Sequence, residues 1–154
     1  MIESKHQLIE VKNELLYPPL GQRGVGFSRS NQYGINFNNA IKSNEKPFLV
    51  AMIETRKGTE NIDEILATDF LDAVIIGPYD LSASLGVCGD FESKIFKETY
   101  KLIREKCLKK EINFGIHIVE PSNKKLKKSI KEGCKFIAYS IDAVILHSVR
   151  PEFN

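Results

Sequence analysis

Short apolar runs alternate along the chain with segments in which apolar residues recur every three or four positions. The runs have four to six residues, which is short for a buried helix and typical of a buried strand. The first run follows Pro47 and is expected to be fully buried. The four predicted strands are residues 48–53, 73–76, 113–118 and 136–140.

The segments between the runs have the apolar spacing of amphipathic helices. Prolines 18 and 19 must end the first helix, a loop is expected from there to Gly34, and Gly133 is placed to end the last helix. Strands that alternate with helices predict a parallel sheet of right-handed βαβ units. The predicted helices are residues 2–16, 61–67, 92–110 and 121–132.

The predicted elements leave two architectures open, both of the α/β class. Four strands can form a small open sheet, or they can form part of an eight-stranded barrel. A complete (β/α)8 barrel takes about 250 residues, and this chain has 154. Hydrophobic residues make up 42% of it and charged residues 27%, so we expect one folded domain over residues 1–154.

The charge, the hydropathy and the cysteine content of the chain bear on its partners and its compartment. A net charge of +2 gives no reason to expect nucleic acid or an anionic membrane as a partner. The first 12 residues are too polar for a signal peptide, and no apolar run approaches the roughly 18 residues of a membrane span. Three scattered cysteines indicate reduced thiols. We therefore expect a cytoplasmic protein.

Two acidic residues follow predicted strands. Glu54 comes directly after the first strand, and Asp80 follows the second across the turn that starts at Gly77. The carboxyl ends of parallel strands are where α/β folds place their sites. Two neighbouring carboxylates repel each other unless a proton or cation lies between them, and a hard divalent cation fits oxygen ligands. The alternative is that both acids cap helices or face solvent.

Several motifs together resemble the HpcH/HpaI aldolase family. They are GPYDLSASLG at residues 77–86, YPPLGQRGVG at 17–26, Ile53-Glu54, and NIDEI at 61–65. Each motif is weak alone, but their order and spacing are specific, and the resemblance extends from Tyr17 to about Leu146. It implies a partial (β/α)8 TIM barrel, comprising about the last four β/α units.

The resemblance also implies an activity. Family members are metal-dependent, class II aldolases, carbon–carbon lyases that cleave 4-hydroxy-2-oxo acids into pyruvate and an aldehyde. By this resemblance Glu54 and Asp80 match the protein ligands of a divalent ion, Mg²⁺ or Mn²⁺. The backbone amides near Tyr79 and Asp80 match those that hold the pyruvate carboxylate. Oligomers are the rule in the family, so a homo-oligomer or a complementary half-barrel is expected.

Two departures from the family pattern put catalysis in doubt. The family's catalytic histidine and its enolate-stabilising arginine come from earlier strands that have no match here, so no catalytic residue is assigned. Met52 also replaces a glutamine on the strand face of Glu54. Two hypotheses follow. The chain is an aldolase that is impaired by itself, or it is a non-catalytic truncated paralogue or fragment that binds a metal, a 2-oxo acid or a partner chain.

Other polar residues have simpler interpretations. Arg23 is expected to brace a loop. His117 either contacts the aldehyde part of a substrate or is a hydrogen-bonded core histidine. Ser82 has no paired base in its motif and is expected to cap a turn. The lysines at 124, 125, 127, 128 and 131 are expected to form a solvated helix face.

Overall fold

The computed structural model describes residues 1–43 and 46–149. From the first strand onward, each strand is followed by one or two helices. In chain order they are α1 (Lys5–Leu15), a 3-10 helix (Arg29–Gly34), α2 (Phe37–Ser43), β1 (Val50–Ile53), α3 (Arg56–Glu60), α4 (Ile62–Ile65), β2 (Ala73–Ile76), α5 (Pro78–Ser84), α6 (Lys94–Lys109), β3 (Asn113–Ile118), α7 (Asn123–Lys131), β4 (Phe136–Tyr139) and α8 (Asp142–Ser148).

The four strands form one parallel sheet in the order β1-β2-β3-β4. Each strand pairs with the strand that precedes it in the chain. One row across the sheet joins Ile53, Ile76, Ile116 and Ile137, so the register keeps equivalent apolar positions side by side. The prediction of an α/β fold with parallel βα units is confirmed.

The core lies between one face of the sheet and the helices. All four residues of β2 are buried, because the strand has a neighbour on each side and helices over one face. The side chains that fill this layer come from α1, α4 and α6 as well as from the sheet. They include Leu8, Ile62, Ile65, Ile103, Cys107 and Phe114, all at 0% exposure.

The two long helices after β2 and β3 have clear sequence causes. In α6, Phe96, Ile103 and Cys107 lie on one buried stripe. In α7, the hydroxyl of Ser122 accepts from the amide of Lys125, and Gly133 ends the helix at φ +90°. No helix in residues 1–43 and 46–149 is both long and apolar enough to cross a membrane.

The expectation that β1 is fully buried is wrong. Met52 is 37% exposed and Phe48, which lies before the strand, is 63% exposed. The predicted fourth strand is exposed in the same way, at Phe136 and Tyr139. Successive strand residues point to opposite faces, and Met52 and Phe136 belong to the row on the face away from the helices. That face is only partly covered by the described residues.

Several element boundaries differ from the sequence prediction. The expected loop before Gly34 contains the 3-10 helix, and α2 follows it. The helix expected at 61–67 is the shorter helix α4, and α3, which precedes it from Arg56 to Glu60, was not predicted. The helix α8 was not predicted, and none of its residues is buried. Elements without a buried stripe leave a weak hydrophobic pattern, which is why these were missed.

Candidate functional site

The carboxyl ends of β1 and β2 bring Glu54 against Gly77. The register sets Ile53 beside Ile76, and the amide of Gly77 donates to the carbonyl of Ile53 at 3.3 Å. A Cβ atom at residue 77 would lie only 2.6 Å from Oε2 of Glu54. The carboxylate therefore occupies the space that any other residue at 77 would fill with its side chain.

Asp80 and Tyr79 lie in the first turn of α5, directly after Gly77. Pro78 starts this helix, and the amide of Leu81 donates to the carbonyl of Gly77 at 2.9 Å. The first turn of a helix has N–H groups with no acceptor inside the helix. The backbone amides of Tyr79 and Asp80 are of this kind, so they are available to an anionic ligand. The side chain of Asp80 is exposed.

The carboxylate of Glu54 is sheltered, with its side chain 13% exposed. The amino group of Met1 lies 3.7 Å from its Oε1. The amide of Ile2 donates to the carbonyl of Met52 at 2.9 Å, which holds this N-terminal segment along the outer edge of β1.

The donor set fits a divalent cation only in part. Carboxylates are the hard oxygen ligands that Mg²⁺ and Mn²⁺ accept, and Glu54 directly follows β1 while Asp80 lies in the first turn of α5. Within the described ranges, no group of three or more His, Cys, Asp and Glu side chains could hold a metal ion. Glu54 and Asp80 could thus supply two ligands, and the remaining positions would fall to water or to a chelating substrate.

The side chain of Tyr79 points toward the helix layer. Its hydroxyl donates to Oε1 of Glu120 at 3.2 Å, and its ring meets the ring of Phe91 edge to face at 5.0 Å. Partial burial, followed by the negative charge of Glu120, raises the pKa of Tyr79 above its ordinary value. The contribution of Tyr79 to the candidate site is therefore its backbone.

His117 lies two strands from Glu54 on the same face of the sheet. Because Ile76 pairs with Ile116, the next residues along, Gly77 and His117, lie side by side. Nε2 of His117 is 3.4 Å from the carbonyl oxygen of Ser140. A carbonyl only accepts, so the proton belongs on Nε2. This contact agrees with the interpretation of a hydrogen-bonded histidine, although the side chain is only half-buried.

Two other residues from the sequence analysis have structural contacts. The guanidinium of Arg23 lies 4.8 Å over the ring of Tyr17, and the backbone amide of Arg23 donates to the carbonyl of Leu16. Arg23 therefore braces the loop after α1. Ser82 is buried, donates to the carbonyl of Tyr79 at 2.8 Å and accepts from the amide of Gly89 at 2.9 Å. It holds the turn after α5, as predicted.

Residues next to Glu54 that the sequence analysis missed tie the site together. The hydroxyl of Thr55 caps α3, accepting from the amide of Gly58 at 3.0 Å. The amide of Arg56 donates to the hydroxyl of Ser84 at 2.9 Å, and its guanidinium donates to the carbonyl of Leu85 at 3.2 Å. The start of α3 is thereby joined to the end of α5. A polar Thr-Arg pair directly after a strand was the available signal.

The fold defines a class of protein. Parallel βα units that place their sites at the carboxyl ends of the strands are typical of barrel-type α/β enzymes. The family model of the HpcH/HpaI aldolase/citrate lyase family matches residues 1–148. The chain belongs to this family.

Similar proteins agree with this assignment. A hydroxypyruvate/pyruvate aldolase of Roseobacter denitrificans is 33% identical over 95% of this chain and 57% of its own length. A 2-keto-3-deoxy-L-rhamnonate aldolase of Klebsiella pneumoniae is 32% identical over 94% of this chain and 54% of its own. The chain thus spans a little over half the length of these curated relatives.

Solved structures show the same fold. The crystal structure of an HpcH/HpaI aldolase from Desulfitobacterium hafniense matches with a TM-score of 0.81 and 29% identity, over 99% of this chain and 63% of that one. A family protein from Burkholderia cenocepacia matches with a TM-score of 0.86 at 23% identity, over 96% and 59%. The parallel sheet is therefore a partial (β/α)8 barrel.

Proposed function

We propose that the chain supplies the metal-binding and 2-oxo-acid-binding part of an aldolase. The reaction would be cleavage of a 4-hydroxy-2-oxo acid to pyruvate and an aldehyde, or its reverse. Family membership and two relatives named as aldolases support this proposal. The observation that carries it is the close approach of Glu54 to Gly77, with Asp80 one short turn further on.

Each residue of the site would have a defined role. Glu54 and Asp80 would bind Mg²⁺ or Mn²⁺ through carboxylate oxygens. The ion, when bound, would supply Lewis acidity at the keto oxygen of the 2-oxo acid. The amides of Tyr79 and Asp80 would donate to the substrate carboxylate, and Gly77 would leave Glu54 its space.

Catalysis by this chain alone is expected to be weak. General acid–base help is typically worth about 10²–10⁴-fold in rate, and no residue of the described chain is assigned that role. His117 is a poor replacement because its Nε2 is bonded to Ser140. A second function is therefore retained, namely binding of a metal, a 2-oxo acid or a partner without turnover. The exposed Met52 and Phe136 on one sheet face favour it, since a second copy or a complementary half-barrel could cover them.

Titration calorimetry with Mn²⁺ tests the metal site. The wild-type chain should bind one ion, and binding should be tighter with oxalate present because oxalate completes the coordination. The double variant Glu54→Gln, Asp80→Asn should lose this binding. A matched control is Asp142→Asn, which changes an exposed acid in the first turn of another seven-residue helix, α8.

The outcomes separate the proposals. Binding that the double variant retains would contradict the site, and so would a folded wild-type chain that binds no ion. If the ion binds, a coupled assay for pyruvate release decides between the two functions. Turnover near an ordinary enzyme rate of about 1 s⁻¹ or more would show that residues in this chain complete the chemistry.

A further inference from the structure

A second concave site lies on the helix side of the sheet, between β3, α6 and α7. Its volume is about 530 Å³. Ile116 and Ile118 of β3 form its floor, Phe96 and Tyr100 of α6 form one wall, and Ser129 of α7 lies on the other. Small-molecule sites usually have volumes of roughly 300–1,000 Å³ and mostly apolar walls. The cavity therefore has the size and lining of a ligand site.

Aromatic rings form a continuous path along this cavity. The ring of Phe91 lies 5.3 Å from that of Phe96, which is stacked 6.5 Å from that of Tyr100. Tyr79 meets Phe91 at one end of the path, and Phe114 meets Tyr100 at the other. Such a surface favours a flat apolar guest, because ring faces and edges pack well against another planar group.

The lysines at the rim are largely neutralised. Three of the four lysines that line the cavity are each paired with a glutamate that also lines it, and the fourth, Lys101, is paired with Glu105 at 3.8 Å, so these charges favour no particular ligand. The pairs are Lys97 with Glu92 at 2.6 Å, Lys125 with Glu120 at 3.3 Å, and Lys128 with Glu132 at 3.8 Å.

Arg104 differs from these lysines. It lines the cavity one turn beyond Tyr100, and its Nε is buried with no hydrogen-bond partner in the part of the chain that the structure describes. The nearby Glu132 is engaged elsewhere, since its Oε2 accepts from the hydroxyl of Tyr100 at 3.2 Å. The half-buried guanidinium of Arg104 lines the cavity, so a ligand carboxylate there could form a charge-assisted hydrogen bond with it.

We propose that this cavity binds a small, flat, apolar molecule that carries one carboxylate. The carboxylate accepts from the guanidinium group of Arg104, and the planar body lies against Phe96 and Tyr100. The site lies on the other side of the sheet from Glu54, although Pro78 and Tyr79 line its edge. Its floor is formed by the strand residues that face the helices, whereas Glu54 follows Met52 on the opposite face. Binding here therefore requires no metal.

Titration calorimetry with 2-naphthoate in the presence of EDTA tests the proposal. One molecule should bind per chain. The neutral isostere 2-naphthalenemethanol should bind about tenfold more weakly or worse, because a hydrogen bond to a charged group is lost. Acetate, which has the charge without the rings, should not saturate the site. Equal affinity for naphthoate and its neutral isostere would overturn the proposal, as would no binding of naphthoate to the folded chain.

Variants locate the site. Arg104→Met keeps the apolar stem and should weaken naphthoate binding about tenfold or more, whereas Lys109→Met, an exposed cation on the same helix, should leave it unchanged. Ser129→Leu should abolish binding by filling the cavity without altering any charge. If circular dichroism shows that Arg104→Met does not fold, Ser129→Leu still tests whether naphthoate binds in this cavity.

The double variant Glu54→Gln, Asp80→Asn should still bind naphthoate, so failure at one site is distinguishable from failure at the other. Unchanged affinity for naphthoate in both Arg104→Met and Ser129→Leu would contradict the proposal.

Discussion

The second strand and the fourth have similar sequences and different surroundings. Ala-Val-Ile-Ile of β2 and Phe-Ile-Ala-Tyr of β4 are both short, uncharged and apolar. All four residues of β2 are buried, while every residue of β4 is at least partly exposed. The difference is in neighbours: β2 lies between β1 and β3, and in the described chain β4 pairs with β3 alone. Burial is thus a property of position in the sheet, and an apolar run alone does not report it.

The largest expected effect compares matched phenylalanines on adjacent strands. Phe114 of β3 is fully buried and Phe136 of β4 is 36% exposed. Phe114→Ala should lower the free energy of unfolding by about 3–5 kcal/mol, because it leaves a cavity in the core. Phe136→Ala should cost roughly 1 kcal/mol or less. Urea denaturation followed by circular dichroism measures both, and equal losses would show that β4 is covered in solution.

A single methyl group at Gly77 should give the next largest effect. The φ of −88° at Gly77 suits alanine, so Gly77→Ala should fold, but the added Cβ would displace the Glu54 carboxylate. We expect Mn²⁺ affinity to fall by roughly 10–100-fold, as for other changes that misplace a metal ligand. Gly26→Ala is the matched control, because a Cβ there meets nothing within 4 Å. If Gly77→Ala and Gly26→Ala bind Mn²⁺ with similar affinity, the close contact between Gly77 and Glu54 has no part in metal binding.

The smallest expected effect concerns two buried thiols, Cys107 in α6 and Cys134 just before β4. Burial raises the pKa of Cys107 to about 12 and also raises that of Cys134, so both stay protonated at pH 8 and react only when the structure opens. Cys134, beside the exposed strand, should be labelled about tenfold faster than Cys107 if opening begins at β4. Single-cysteine variants and a disulfide reagent measure the two rates.

The thiol experiment has a clear contrary outcome and a linked pH effect. Equal labelling rates would mean that α6 and the start of β4 open together. Because folding keeps the Cys107 thiol protonated, its contribution to stability is full below pH 9 and falls as the pH rises toward about 12.

The order of the strands was predictable. Each apolar run is a local signal of a strand, and the rule for right-handed βαβ units places successive parallel strands next to each other. The 3-10 helix, α2 and α8 were not predictable in the same way, since few or none of their residues are buried. The exposure of Met52 and Phe136 also could not be predicted. The apolar character of a strand residue does not indicate which other residues cover its side chain.

The sequence predicts residues of the candidate site and says less about its geometry. The motif positions predict Glu54, Tyr79 and Asp80 as site residues, and the strand ends explain why acids are expected there. The sequence analysis placed Gly77 in a turn. It did not predict that the absent Cβ makes room for Glu54, because that contact depends on the pairing of β1 with β2. The side chain of Tyr79 leaves the site because Phe91 and Glu120 hold it.

The strand order has a consequence for how the chain is made. Because order in space equals order in sequence, each strand leaves the ribosome after the strand on which it docks. No strand of this sheet has to wait for a later one to complete its first pairing. The sheet can therefore lengthen one βα unit at a time during synthesis. Until β3 arrives, β2 itself has the unpaired outer edge that β4 has among the described residues.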